Sequence, residues 1–446
     1  MIETFIRGGL LSQNDQPTTE NPLLDLSGLP RFAEISAGQV EEALDAALAT
    51  SRAKIAAIET QCPTASWASV ASELQDVEEY VERVWAPVSH LNAVRDTDQF
   101  RAAVEACLPK LSAFHSEVGQ NLSLFEGYRQ IADSDDFNAL SSARQKIVKN
   151  ALRDFRLSGA ELEGPDRERF REIVSELSTL CNQFDQNLMD ATDHWVLDID
   201  SESDLQGLPQ SVVELARQTA KDASLDGWRF SLQAPSYIPF MMFCENRSLR
   251  QKMYEAYVTR ASDQGPDAGQ FDNGPLMVRI LRLRAEMASL LGFAHYAQYA
   301  LEGRMAGSAE EVSTFLRTLA DCAKAAGAKE LESLRHFALE EYGEENLEAW
   351  DIAFYSEKLK QSLYSFSDEA IRPYFPLPKV LEGLFFVARK LFGVTVRQAV
   401  CASPWHEDVQ YFELLNEDGS VRGCFFLDLY ARAHKRGGAW MADCIA

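Results

Sequence analysis

The sequence predicts a mainly α-helical protein with a small β-element near its C-terminus. Three observations carry this. Apolar residues recur with a helical period over most of the chain. The 446 residues exceed one ordinary core, so two or three domain-sized units are expected. Only near the end does the pattern change, where the runs 409–415 and 421–429 are joined by Asn416-Glu417-Asp418-Gly419.

The first helix is predicted between residues 36 and 60, where Val40, Leu44, Ala47, Leu48, Ile55 and Ile58 share one face. Trp67, Val70, Leu74, Val77, Val81, Val84, Val88 and Leu91 form a second stripe. A third runs from Phe100 through Val104, Cys107, Leu111, Phe114 and Val118 to Phe125. Three consecutive amphipathic helices imply antiparallel packing in a bundle. Gly164-Pro165-Asp166 breaks the pattern and starts a helix carrying Phe170, Ile173, Leu177, Leu180, Phe184 and Leu188. An extended stretch, 194–199, follows. Further helices fit 208–223, 248–262, 275–291, 309–341 and 379–392. Stripes of this kind are read as core packing.

The tail reads as a hairpin, because Asp-Gly between two strand-like runs favours a tight reversal. Counted by twos, Val421, Phe425, Leu427 and Leu429 lie on one face, and Cys424, Phe426, Asp428 and Tyr430 on the other. Both faces are largely apolar and both need cover.

Composition narrows function. Net charge is −25, from 43 Lys+Arg against 68 Asp+Glu. Nucleic-acid binders and proteins docked on anionic membranes rely on basic patches, so neither partner is expected. The acidity either keeps a large protein soluble or lines a cavity that favours cationic peptides. Eight scattered cysteines without a C-x-x-C pair read as reduced thiols, with no disulfide framework and no thiolate zinc site. Residues 1–22 hold one short apolar patch (Ile6, Leu10, Leu11), too short for a signal peptide. No stretch approaches the ~20 apolar residues of a membrane span. The expected location is the cytoplasm.

The search for chemistry is mostly negative. A helical zinc pair places His at i and i+4 so that both reach one ion. No two of the seven histidines are four apart. His406-Glu407-Asp408-Val409-Gln410 has Gln where the second ligand would stand and reads as a solvated turn. Phosphate loops, dinucleotide fingerprints and the G-x-S-x-G elbow are missing as well. Glu340, Glu341, Glu344 and Glu345 read as a charged turn. Lys435-Arg436-Gly437-Gly438-Ala439-Trp440 stands out. Its glycines allow close backbone approach, and its cations can pair with a carboxylate or a peptide terminus; a tight turn with surface basic residues is the plainer reading.

Four long blocks then become recognisable together: NPLLDLSGLPRFAEI, PSYIPFMMFCENRSLRQKMYEAYVTRASDQGP, WDIAFYSEKLKQSLYSFSDEAIRPYFPL and WHEDVQYFELLNEDGSVRGCFFLDLYARAHKRGGAWM. They resemble the zinc metallopeptidase family of oligopeptidase A, thimet oligopeptidase, neurolysin and dipeptidyl carboxypeptidase, over roughly residues 21–446. The resemblance implies a long-helix N-terminal lobe, 23–193. It implies part of a second helical lobe, 194–446, with the hairpin 409–429 in a small sheet near the zinc. Residues 1–22 do not match and are expected to be an extension. The resemblance further implies a narrow channel that admits short unfolded peptides, with substrate backbone aligned by an edge strand. Channel candidates carried over are Tyr411, Phe412, Tyr430, Arg436, Gly437 and Gly438. Trp350, Asp351 and Tyr355 are conspicuous without a derivable role.

The family's H-E-x-x-H, third ligand and oxyanion tyrosines have no counterpart in these residues, so no catalytic or metal residue is named. The expectation is a truncated, inactive portion of a zinc oligopeptidase with no cofactor of its own. Two alternatives stay open. One is a half-enzyme completed by a separate zinc-lobe polypeptide, and the other is a catalytically silent peptide-binding module.

Overall fold

The computed structural model of the chain describes residues 21–401 and 403–445. Their architecture is mainly α, with two small antiparallel sheets. Of the expected extension 1–22, all but Asn21 and Pro22 lies outside the described residues.

Helix α1 (Ala37–Glu59) starts at Ser36, which shares a capping box with Gln39, so orphan amides at the helix start are satisfied reciprocally. Its predicted stripe is buried. α1 packs on α2 (Ser72–Val94) and α3 (Asp98–Gly119). α4 (Leu122–Asp133) and α5 (Ser142–Leu157) complete the bundle. The sequence reading missed α5. Only Val148 and Phe155 are fully buried in it, so its apolar stripe is thin among charged residues. α6 (Gly164–His194) begins at the predicted break and packs on α3.

The expected boundary at 193/194 falls at the end of α6. Beyond it, β1 (Val196–Ile199) pairs with β2 (Trp228–Ser231), and α7 (Gln210–Asp222) packs on β2. With α8 (Ala234–Phe243) and α9 (Arg247–Val258) they enclose a core around Phe230, Leu232, Phe240 and Met253. α10 (Gly274–Leu290) returns to α6 and is followed by α11 (Tyr296–Leu301). α12 (Ala309–Tyr342) is 34 residues long, yet only Leu334 and Ala338 are buried in it. α13 (Ile352–Tyr364), α14 (Asp368–Ile371) and α15 (Leu377–Phe392) lead to the second sheet.

That sheet has three strands, β3 (Thr395–Ala399), β4 (Gln410–Leu415) and β5 (Val421–Leu427). The predicted hairpin is β4–β5. Gly419, at φ +81°, takes the left-handed position its turn requires. β3 escaped notice because Thr-Val-Arg-Gln-Ala has too little alternation to stand out. The sheet's two apolar faces find different cover. Tyr411 and Phe426 face the first bundle, where Phe426 meets Phe32 and Trp405 edge-on or tilted at 5.8 and 5.2 Å. On the other face Phe412 stacks on Phe425 at 5.3 Å, and Phe385 of α15 leans on both.

Asp351 and its neighbours gain a structural role. Asp351 is fully buried beside Arg250, itself 1% exposed. It accepts from Arg250 Nη2 at 2.8 Å and from Arg247 Nη2 at 2.6 Å, tying α9 to the start of α13. The Arg250 guanidinium lies over Phe354 and donates to the Cys244 and Trp350 carbonyls, so its remaining donors are spoken for. Burial raises the carboxyl's pKa, but these arginine hydrogen bonds outweigh it and hold the pKa below its ordinary value. Asp351→Ala leaves Arg250 as an uncompensated buried cation. Chemical denaturation is expected to show a loss of about 3–5 kcal/mol in unfolding free energy.

Candidate functional site

The six sequence-predicted positions lie on β4 and on the segment after β5. Tyr411 and Phe412 are buried at 9% and 3% exposure, one on each face of the sheet. Burial pushes the Tyr411 phenol well above its ordinary value. Both residues therefore support the sheet from inside. Tyr430, Arg436, Gly437 and Gly438 are exposed.

The sequence reading did not foresee what holds these four in place. Asp428 follows directly on β5, with its carboxylate nearly buried. It accepts from Arg432 Nη1 at 2.7 Å and from Trp405 Nε1 at 2.9 Å, and it pairs with Lys435 Nζ at 2.9 Å. Lys435 also donates to the carbonyls of Asp428 and Tyr430 at 2.9 and 2.7 Å, closing the loop on itself. Lys435 is thus consumed internally, and of the two adjacent cations only Arg436 faces outward. Burial acts to raise the Asp428 pKa, but the bonds from Arg432, Trp405 and Lys435 outweigh it and hold the group far below the carboxylate range.

The loop is stitched to two helices and to the connection between α2 and α3. Arg432 Nη2 donates to Val94 O at 3.1 Å and Arg436 N to Ala93 O at 2.7 Å, both at the end of α2. Asp96 N donates to His434 O at 3.1 Å. Asp193, in the last turn of α6, accepts from His434 N at 3.1 Å and from Gln233 Nε2, just before α8, at 2.7 Å. Asp96 and Asp190 are in turn held by Arg101. One sequence signal pointed here: Asp428 on an otherwise apolar strand face, since a buried acid needs paired cations.

The result is a fixed platform. The Arg436 guanidinium lies 6.0 Å from the Trp440 ring centre and makes no ion pair among the described residues. Gly438 sits at φ +91°, a backbone conformation that residues with a Cβ rarely adopt. A Cβ on Gly437 would meet Gln233 Oε1 at an ordinary 3.8 Å. An exposed guanidinium beside exposed glycine backbone suits a carboxylate or a peptide backbone.

Among the described residues no three His, Cys, Asp or Glu side chains gather so as to hold an ion. His406 lies in a turn, its Nδ1 accepting from Asp408 N at 3.2 Å.

His90 packs under the platform. Its ring lies 4.2 Å from Trp405 and 5.7 Å from Trp440, and neither ring nitrogen has a hydrogen-bond partner. Burial pushes its pKa down to about 4, against the opposing pull of Asp428. Between pH ~6.5 and that value the unfolded chain takes a proton at His90 and the folded chain does not. Stability therefore falls as pH drops through this window, by on the order of 3 kcal/mol for this group. His90→Phe is expected to flatten that part of the stability–pH curve, as read by denaturant midpoints at pH 7 and pH 4.5.

Comparison with known proteins gives two family matches. Residues 44–167 match the N-terminal domain of neurolysin/thimet oligopeptidase, and residues 240–446 match Peptidase family M3. The chain is 45% identical over 425 residues to oligopeptidase A of Salmonella typhimurium, covering 95% of this chain and 62% of that protein. It is 44% identical to oligopeptidase A of Escherichia coli K12 over the same shares. It is 28% identical to the Escherichia coli dipeptidyl carboxypeptidase, over 96% of this chain and 63% of that one. The chain thus spans less than two thirds of the length of these relatives.

Proposed function

We propose, from the premise that this chain belongs to peptidase family M3, that its residues form the peptide-receiving, non-metal part of a zinc oligopeptidase. The observation that carries this is the platform of Tyr430, Arg436, Gly437 and Gly438, clamped by Asp428 inside the segment matched to the family. The guanidinium would neutralise a substrate carboxylate, and the glycine backbone would let a peptide chain approach closely. Tyr411 and Phe412 act beneath it by fixing the sheet.

The metal step lies elsewhere. A catalytic zinc needs three protein ligands and an open position for water. The described residues do not provide such a set, so no hydrolytic step is assigned to any of them. A polypeptide of these 446 residues is therefore expected to be inactive by itself. The eight free thiols support a reducing, cytoplasmic setting. No helix among the described residues is long and apolar enough to cross a membrane.

Two measurements test this reading. The purified 446-residue chain, supplied with zinc, is expected to leave short quenched-fluorescence peptides uncut and to retain no stoichiometric zinc after dialysis. Sustained turnover abolished by a chelator would overturn it. Isothermal titration with short unstructured peptides is expected to show Arg436→Ala weakening binding of a free-acid peptide about tenfold while leaving its C-terminal amide unaffected, the size of effect one charge-assisted contact gives. An equal loss for both peptides would count against a carboxylate partner.

A further inference from the structure

α15 carries two apolar stripes instead of one. Leu377, Leu381, Phe385 and Ala388 recur at helical spacing and are the partly covered positions, with Phe385 resting on Phe412 and Phe425 of the sheet. Val380, Leu384, Val387 and Leu391 recur at the same spacing one position away. They are 44%, 57%, 50% and 70% exposed. Helical residues at i, i+4, i+7 and i+11 share one face, so these four form a continuous strip a full three turns long. No residue of α15 is fully buried. An exposed apolar strip of this length, beside a second stripe already packed on the sheet, marks a surface that another element covers.

The comparisons indicate what that element is. α15 lies wholly inside the segment matched to Peptidase family M3, and the matched relatives are longer than this chain, which spans 62% of them. We infer that the Val380–Leu384–Val387–Leu391 stripe is the docking face for the part of the family fold that has no counterpart in these 446 residues. The occupant is polypeptide with a complementary apolar face. Through α15 it would bear on the Phe385–Phe412–Phe425 stack and so on the sheet that ends at Asp428. The inference rests on the family reading above and adds to it the place where the metal-bearing part is seated.

The test uses the 446-residue chain and, as probe, a separately expressed polypeptide comprising the portion of Escherichia coli oligopeptidase A that follows its match to this chain. Light scattering after size exclusion is expected to show a one-to-one complex. Leu384→Asp and Leu391→Asp are each expected to weaken it at least tenfold in a fluorescence-anisotropy titration, whereas Lys379→Ser on the polar side is not. Both Asp substitutions fall at exposed positions, and unchanged far-ultraviolet circular dichroism confirms that the variants fold. Absence of a complex, or a complex indifferent to both Asp variants, overturns the inference. Doubling of the chain's own mass, lost in the same variants, overturns it too, because the stripe would then be seated on a second copy. A complex that forms through α15 but cuts no peptide keeps the docking face and sinks the peptidase reading. Cleavage by the chain alone sinks the proposed inactivity and leaves the docking result standing.

Discussion

The geometry of the C-terminal segment depends on one buried carboxylate. Asp428 sits where β5 ends and accepts from Trp405, Arg432 and Lys435 together. Taking a carboxylate out of water is unfavourable unless cations and donors surround it, and once they do, their positions are no longer free. Arg432 also binds the end of α2, and Lys435 binds the Asp428 and Tyr430 carbonyls, so the single charge fixes the path of the chain from the sheet to Arg436. A buried ion cluster need not add much net stability over an apolar equivalent. Its effect here is specificity of position.

The same logic recurs at Asp351 in the second unit, where Arg247 and Arg250 converge on one buried acid between α9 and α13. The two clusters differ in what they secure. Asp351 joins two neighbouring elements of one core, whereas the Asp428 loop reaches the end of α2, Asp96 beyond it, and Asp193 of α6. The expected hairpin is therefore more than an appendage of the second unit. Trp405 belongs to the core of the first bundle, and Phe426 and Trp440 pack on it.

The proposed function rests on this arrangement. The segment after β5 is fixed by Asp428, and among the described residues no three His, Cys, Asp or Glu side chains gather so as to hold an ion. The proposed function places peptide binding on this segment. The exposed stripe of α15 is the face proposed to seat the remainder of the family fold.

The sequence by itself determined the helical class, the stripes of α1 to α3 and α6, the β4–β5 turn and the want of a helical zinc pair. Each is written in local spacing: a period of 3.6 or 2, an Asp-Gly turn, histidines four apart. It also marked Arg436, Gly437 and Gly438 as unusual neighbours. Only the tertiary structure decided which cation stays inside, since Lys435 and Arg436 are adjacent and alike in charge but only Lys435 reaches Asp428. It likewise decided that Tyr411 and Phe412 face protein, and that His90 sits unpartnered against Trp405, more than three hundred residues away in sequence. It settled the role of Asp351, whose partners lie about a hundred residues upstream. The physical reason is common to all of these. Periodicity records which face of an element is apolar, whereas charge pairing and burial depend on which distant element the chain brings against that face.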